Sequence, residues 1–169
     1  MRTNSDSGLF CLSDNTVLAM LPTSIDDDVT ESDTLGIQPA CVLTFNANDP
    51  SGAGGLAGDI NAIASVGAHA LPVVTGAHAR DTAEIVDHYP LDEDAVREQA
   101  RTILEDVTAQ VIKVGFCGSA ENLSAIAEIA SDYADVPVIA YMPDLSWWNE
   151  VQIDLYLDAF RELVLPQAT

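Results

Sequence analysis

The segment Asn48-Asp49-Pro50-Ser51-Gly52-Ala53-Gly54-Gly55 constrains this chain more than any other. It lies between a short apolar run, Ala40 to Asn46, and a run with helical spacing, Leu56 to Val66. Apolar runs of that length read as strands. A strand that feeds a Gly-rich turn into a helix start presents unpaired backbone N–H groups, and glycines let a ligand approach the backbone closely. The turn lacks the Gly-Lys-Ser/Thr ending of a Walker loop and the spacing of a dinucleotide fingerprint. By itself it is either a tight turn or the floor of a small-molecule site.

Further along, apolar strands alternate with amphipathic helices. Gly67 marks the stop of the first helix, whose expected inward face is Ile60, Ile63 and Ala64. Residues 70–76 read as a second strand, with Pro72 implying an edge position or a late start to its ladder. Residues 85–88 read as a short strand. Residues 91–107 read as a helix capped by Asp92, with Val96, Ala100, Ile103 and Leu104 as its stripe. A third apolar strand is expected over 110–116, a helix opening at Ser119, a fourth strand over 136–141, and a last helix from Glu150 to Leu165 before Pro166. This alternation predicts an α/β fold with a mainly parallel sheet flanked by helices. Ligands gather at the carboxyl ends of such strands. The loops to watch are therefore 46–55, 77–82, 115–119 and 142–148.

Charge narrows the partners. Among 169 residues there are 27 acidic and 6 basic side chains, a formal net charge of −21. Such a chain repels nucleic acid and anionic membrane surfaces. It is either an acidic enzyme or one adapted to high salt, where screening relieves carboxylate repulsion. No apolar stretch is long enough to span a membrane, and the N-terminus lacks a secretory pattern. Three cysteines without metal spacing (Cys11, Cys41 and Cys117) fit the reducing cytosol. Residues 1–38 are acidic, rich in Ser and Thr and aperiodic, and read as a flexible extension, although the apolar patch Thr16–Leu21 offers a docking segment. The folded part is then 39–169.

Several side chains have both a structural and a functional reading. Asp59, expected in the first helical turn, either balances the helix dipole or accepts a hydrogen bond from a ligand amine or hydroxyl. Lys113 interrupts an apolar strand and needs a partner, either a carboxylate at the sheet end or a ligand phosphate. His69, His78 and His88 are too scattered for a metal site. Trp147-Trp148 is a packing pair or an aromatic lid.

The order of four segments, 45–59, 62–69, 73–82 and 112–119, resembles the hydroxymethylpyrimidine/phosphomethylpyrimidine kinases of thiamine biosynthesis, a ribokinase-like family. The resemblance runs from about residue 40 onward. It implies an ATP- and Mg2+-dependent kinase that phosphorylates a hydroxymethylpyrimidine and then its monophosphate. It implies substrate contacts at Ala47, Asp49, Gly52, Gly54, Asp59, Arg80 and Phe116, with Lys113 and Asp144 toward phosphate or magnesium. The family's ring-binding glutamine falls on Arg80, which loses an acceptor and gains a charge. Arg80 then either holds a substrate phosphate or marks a different ligand. The Asp-Pro-Val-Met stretch of the family is replaced by Tyr141-Met142-Pro143-Asp144. The resemblance covers only the family's N-terminal half, without nucleotide site or catalytic residue, so the chain reads as a fragment, a truncated frame or a degenerate relative. A non-catalytic pyrimidine binder and a ribokinase-like kinase of a pyridoxal-type compound are the alternatives. The incomplete sheet favours a homo-oligomer.

Overall fold

The computed structural model describes residues 38–169. The expectations for residues 1–37, including the Thr16–Leu21 patch, lie outside the described residues. Five strands form one sheet in the order β3-β2-β1-β4-β5. They are β1 (Cys41–Asn48), β2 (His69–Arg80), β3 (Ile85–Pro90), β4 (Val111–Val114) and β5 (Val138–Ala140). Four helices connect or follow them: α1 (Gly55–Ser65), α2 (Glu93–Asp106), α3 (Ala120–Asp132) and α4 (Glu150–Ala159). A π-helical turn over Phe160–Val164 and a 3-10 turn over Leu165–Gln167 follow α4, where one helix to Leu165 was expected. Strands β2, β1, β4 and β5 are parallel, whereas β3 folds back antiparallel on the end of β2.

The strand alternation sorts two chemistries onto the two faces. Leu43, Phe45, Leu71, Val73, Ile112 and Val114 point into the main core. There they meet Val96 and Ala100 of α2 and Leu123, Ile126 and Ile129 of α3, all buried. The opposite face carries Thr44 and Asn46, and α1 lies over it, anchored by the buried Leu56 and Ile63. Ile60 and Ala64, expected to face inward, are exposed instead. The α1 face of the sheet is polar at its centre, so the helix rolls to present Leu56, Asp59 and Ile63.

Both expected helix caps form. Asp92 accepts from the Ala95 N–H and Ser119 from the Asn122 N–H. Pro72 sits in the first half of β2, which pairs with β1 on one side only, since β3 joins no earlier than Gly76. The missing proline N–H therefore costs the ladder nothing. Gln99 of α2 closes this free edge. Its Oε1 accepts from the Val74 N–H at 3.1 Å, and its Nε2 donates to the Val74 carbonyl at 3.2 Å. At the far edge, Ala168 and Thr169 bridge to Val138, with the Thr169 N–H 3.0 Å from the Val138 carbonyl.

Candidate functional site

Asp49 organises the Gly-rich turn. Its Oδ1 accepts from the Ser51 N–H at 2.8 Å and the Ser51 hydroxyl at 2.6 Å, while its carbonyl accepts from the Gly52 N–H at 3.1 Å. The turn then packs back on itself so closely that any side chain at Gly55 would collide with the Ala47 carbonyl at 2.5 Å and the Asp49 Cβ at 2.8 Å. Gly55 also needs a φ of 57°, which β-carbon-bearing residues avoid. The helix begins with no side-chain cap, so its first N–H groups are left for solvent or a ligand.

Above this floor, at the carboxyl ends of β1, β2 and β4, opens a cleft of about 460 Å³. Its walls include Asn46, Asp49, Gly54, Gly55, His78 and Arg80. Phe116, Tyr141, Asp144 and Trp147 complete the far side, and Glu84 sits at the rim. Five of the nine site positions that the resemblance implied therefore come together here: Asp49, Gly54, Arg80, Phe116 and Asp144. Ala47, Gly52, Asp59 and Lys113 do not line the cleft. A larger groove of about 810 Å³ runs between α2 and the free edge of β2, away from the strand ends.

Asp59 and Lys113 belong to the α1 face of the sheet. Asp59 is the fifth residue of α1, past its first turn, so of its two readings the one that balances the helix dipole does not apply. Its Oδ2 accepts from Thr44 Oγ1 at 2.8 Å, Asn46 Nδ2 at 3.0 Å and Lys113 Nζ at 2.8 Å. Lys113 thus has the carboxylate partner that its apolar strand demanded, and its ammonium also lies 5.8 Å from the Tyr141 ring centroid.

Asn46 links this network to the cleft and was not singled out by the sequence reading. Its Oδ1 accepts from the Ala47 N–H at 2.9 Å and the Phe116 N–H at 3.2 Å. It fills the space over Gly115, where a Cβ would lie 2.5 Å from Asn46 Nδ2. The signal available in sequence was a polar residue ending an apolar strand, which does not distinguish a wall of a site from a turn. Asn122, in the helix expected to open at Ser119, was likewise not singled out. It is fully buried, and its amide nitrogen approaches the carbonyls of Thr75, Leu91 and Cys117 at 3.4, 3.0 and 2.8 Å.

The aromatic wall is continuous. His78 stacks on Phe116 with centroids 5.3 Å apart, and Trp147 meets both edge-on at 5.6 Å. Trp148 stacks on Trp147 and continues to Tyr156, whose hydroxyl accepts from the Cys117 N–H at 2.9 Å. His88 sits behind His78, 5.0 Å centroid to centroid, with neither ring nitrogen hydrogen-bonded. Burial pushes the His78 imidazole down, and pushes His88 down to about 4 with help from His78, so both are neutral at pH 7. Burial works against ionisation of Asp49, but the Ser51 hydrogen bonds and the Arg80 charge outweigh it and hold the carboxyl below its usual value. Burial pushes the Cys117 thiol up to about 12, which makes it an inert filler rather than a nucleophile.

A divalent metal does not fit these side chains alone. No group of three His, Cys, Asp or Glu that could hold an ion occurs among the described residues. Asp144 is engaged by the Ser146 N–H at 2.9 Å and its hydroxyl at 2.8 Å. No step of phosphoryl transfer follows from the described residues.

Solved kinases of small metabolites share this architecture. Phosphomethylpyrimidine kinase from Clostridium difficile superposes with a TM-score of 0.68 at 21% identity, over 76% of this chain and 56% of that one. The pyridoxal kinase of Bacillus subtilis, solved as an ADP complex, gives 0.69 at 23% identity, over 78% of this chain and 51% of that one. These likenesses define the class of fold, the one shared with those solved small-molecule kinases. Within that class, the phosphomethylpyrimidine kinase family profile matches residues 49–169, and the chain belongs to this family. The hydroxymethylpyrimidine/phosphomethylpyrimidine kinase of Streptomyces coelicolor is 28% identical over 134 residues, which are 79% of this chain and 49% of the relative. A probable thiamine biosynthetic bifunctional enzyme of rice is 32% identical over 103 residues, 61% of this chain and 18% of the relative. The chain spans about half the length of the Streptomyces enzyme, or less of the rice one.

Proposed function

We propose that this chain is the substrate-binding half of a hydroxymethylpyrimidine and phosphomethylpyrimidine kinase of thiamine biosynthesis. The family match carries the reading, because it begins at Asp49, the residue that organises the floor of the cleft. The whole enzyme transfers a phosphoryl group from ATP, with Mg2+, first to the hydroxymethyl group of an aminopyrimidine and then to its monophosphate. In this reading the flat ring lies over Gly54 and Gly55, against the wall that Phe116 and Trp147 form together. The backbone near Ala47 and Gly52 supports it from the turn, and Asp59 acts from below by fixing Asn46. Lys113 then serves the sheet rather than a phosphate. Because the chain spans only part of its relatives, binding is the activity expected of these residues, and turnover that of the whole enzyme in the cytoplasm.

The test is a tryptophan fluorescence titration with 4-amino-5-hydroxymethyl-2-methylpyrimidine. Trp147 lines the cleft, so saturable quenching is expected, and Trp147→Ala should weaken binding roughly fivefold to tenfold through loss of ring contact. Pyridoxal is the comparison ligand, since a pyridoxal kinase shares the fold. Tighter binding of pyridoxal would replace the pyrimidine reading with that one.

A further inference from the structure

Arg80 stands at an irregularity in the sheet. Ala79 pairs with Asp87 but Arg80 with Ile85, so β3 carries one extra residue at this point. A bulge of this kind re-aims the side chains beside it. The guanidinium meets the Gly-rich turn. Its Nη1 donates to Asp49 Oδ2 at 3.1 Å, while its Nε donates to the Asp81 carbonyl at 2.9 Å and fixes the orientation of the group. Nη2 is the one guanidinium nitrogen without a hydrogen bond among the described residues. The Asp49 side chain is 2% exposed and that of Arg80 18%. A carboxylate buried to that degree needs its counter-charge. Asp49 in turn sets the floor of the cleft. Its Oδ1 and carbonyl hold Ser51 and Gly52, and its backbone and Cβ pack so closely on Gly55 that no side chain fits there. The uncapped N–H groups at the start of α1 therefore keep their aim only while Asp49 stays where Arg80 holds it.

We infer that Arg80 is a positioning residue of this cleft: it acts on the ligand through Asp49, by holding the Gly-rich floor in place, and does not touch the ligand itself. A strut of this kind does not distinguish the ring's alcohol from its monophosphate, because both lie on the same floor. Its removal loosens both by one factor. A direct clamp through Nη2 would act on the phosphate alone. The two ligands are those of the proposed function, so the effect on binding rests on that reading, whereas the effect on the turn does not.

Isothermal titration of the full chain with the hydroxymethylpyrimidine and with its monophosphate separates strut from clamp. Arg80→Met should weaken both ligands by the same factor, about tenfold, the scale on which misplaced binding groups lose affinity. Arg80→Lys should restore most of it, since an ammonium still supplies Asp49 with a counter-charge. Asp49→Asn keeps the oxygen that Ser51 needs and should weaken both ligands by a similar factor. Combined with Arg80→Met it should weaken them no further, because the same link is cut and no buried charge is left unpaired. If Arg80→Met alone does not fold, the double variant compared with Asp49→Asn answers the same question: equal affinity supports the strut, and a further loss assigns Arg80 a direct contact. Amide hydrogen exchange reads the turn itself. In the Arg80 variants that lack the charge, the Ser51 and Gly52 N–H groups should gain in exchange rate at least about fivefold more than those of Val111–Val114. A loss confined to the monophosphate, losses that multiply in the double variant, or parent exchange rates at the turn would each overturn the positioning role. If the parent binds neither ligand, the substrate reading falls and exchange alone decides: faster exchange at Ser51 and Gly52 sustains the strut, and parent rates dismiss it.

Discussion

Asp59 and Lys113 lie 54 positions apart in sequence and hold each other at 2.8 Å across the sheet face that α1 covers. Their side chains are 14% and 23% exposed, so solvent screens the pair only in part. Removing either partner strands the other beside an apolar strand. Lys113→Met or Asp59→Asn should each cost about 2 kcal/mol in urea unfolding, below the value of a fully buried pair. The double variant should cost less than the sum of the two by about 1 kcal/mol, the coupling expected of side chains in contact. Simple additivity would show that the contact contributes nothing to folding.

Gly115→Ala tests the tie between sheet and cleft. The added methyl would lie 2.5 Å from Asn46 Nδ2 and 2.7 Å from its Cγ, so Asn46 must move. Asn46 fixes the Phe116 N–H, so Phe116 moves with it. A loss of about 1–3 kcal/mol is expected from such overpacking, together with weaker ligand quenching of Trp147. Unchanged ligand affinity in a folded variant would detach Asn46 from the site.

His88 predicts a pH dependence with a definite sign. Its folded value, about 4, is depressed from the ordinary 6.5 by burial and by His78, against the pull of Asp87. Between these pH values the unfolded chain takes up a proton that the folded chain refuses. The stability from this residue is therefore fully present above about pH 6.5 and is lost as pH falls toward 4. Over that window the loss is about 2 kcal/mol, discounted for partial exposure. His88→Gln should flatten the stability profile there by nearly one proton. Comparing the two proteins cancels the relief of self-repulsion that acidification gives a chain of charge −21.

Gln99→Ala exposes the Val74 N–H and carbonyl on the free half of β2. Static light scattering on heating should show association at a lower protein concentration than for the parent, because an open strand edge templates pairing. Equal behaviour would mean that Pro72 alone protects this edge.

What was legible in the sequence followed from local chemistry. Asp92 and Ser119 cap helices because cap and helix start are neighbours in the chain, and Pro72 announces an edge because it lacks its own donor. The Gly-rich turn signalled a site for the same reason: the requirement at Gly55 is local. The rest depended on partners far away in sequence. Ile60 and Ala64 carry a helical stripe, yet α1 turns them outward because Thr44, Asn46 and Lys113 make the opposing surface polar. Asn46, His78 and His88 gained their places from strand pairing. His78 and His88 stand opposite each other only through the antiparallel return of β3, and the expected parallel alternation did not announce that hairpin.

The three carbonyls gathered by Asn122 belong to the middle of β2, the entry to α2 and the loop after β4. One amide therefore ties three segments together behind Phe116, whose carbonyl Thr75 also holds. A displacement of any one of these segments is transmitted to the other two. Adaptation to ligands of different girth must then come from the outer rim, Ala83–Glu84 and Asp144–Trp147, while the inner frame behaves as a fixed gauge.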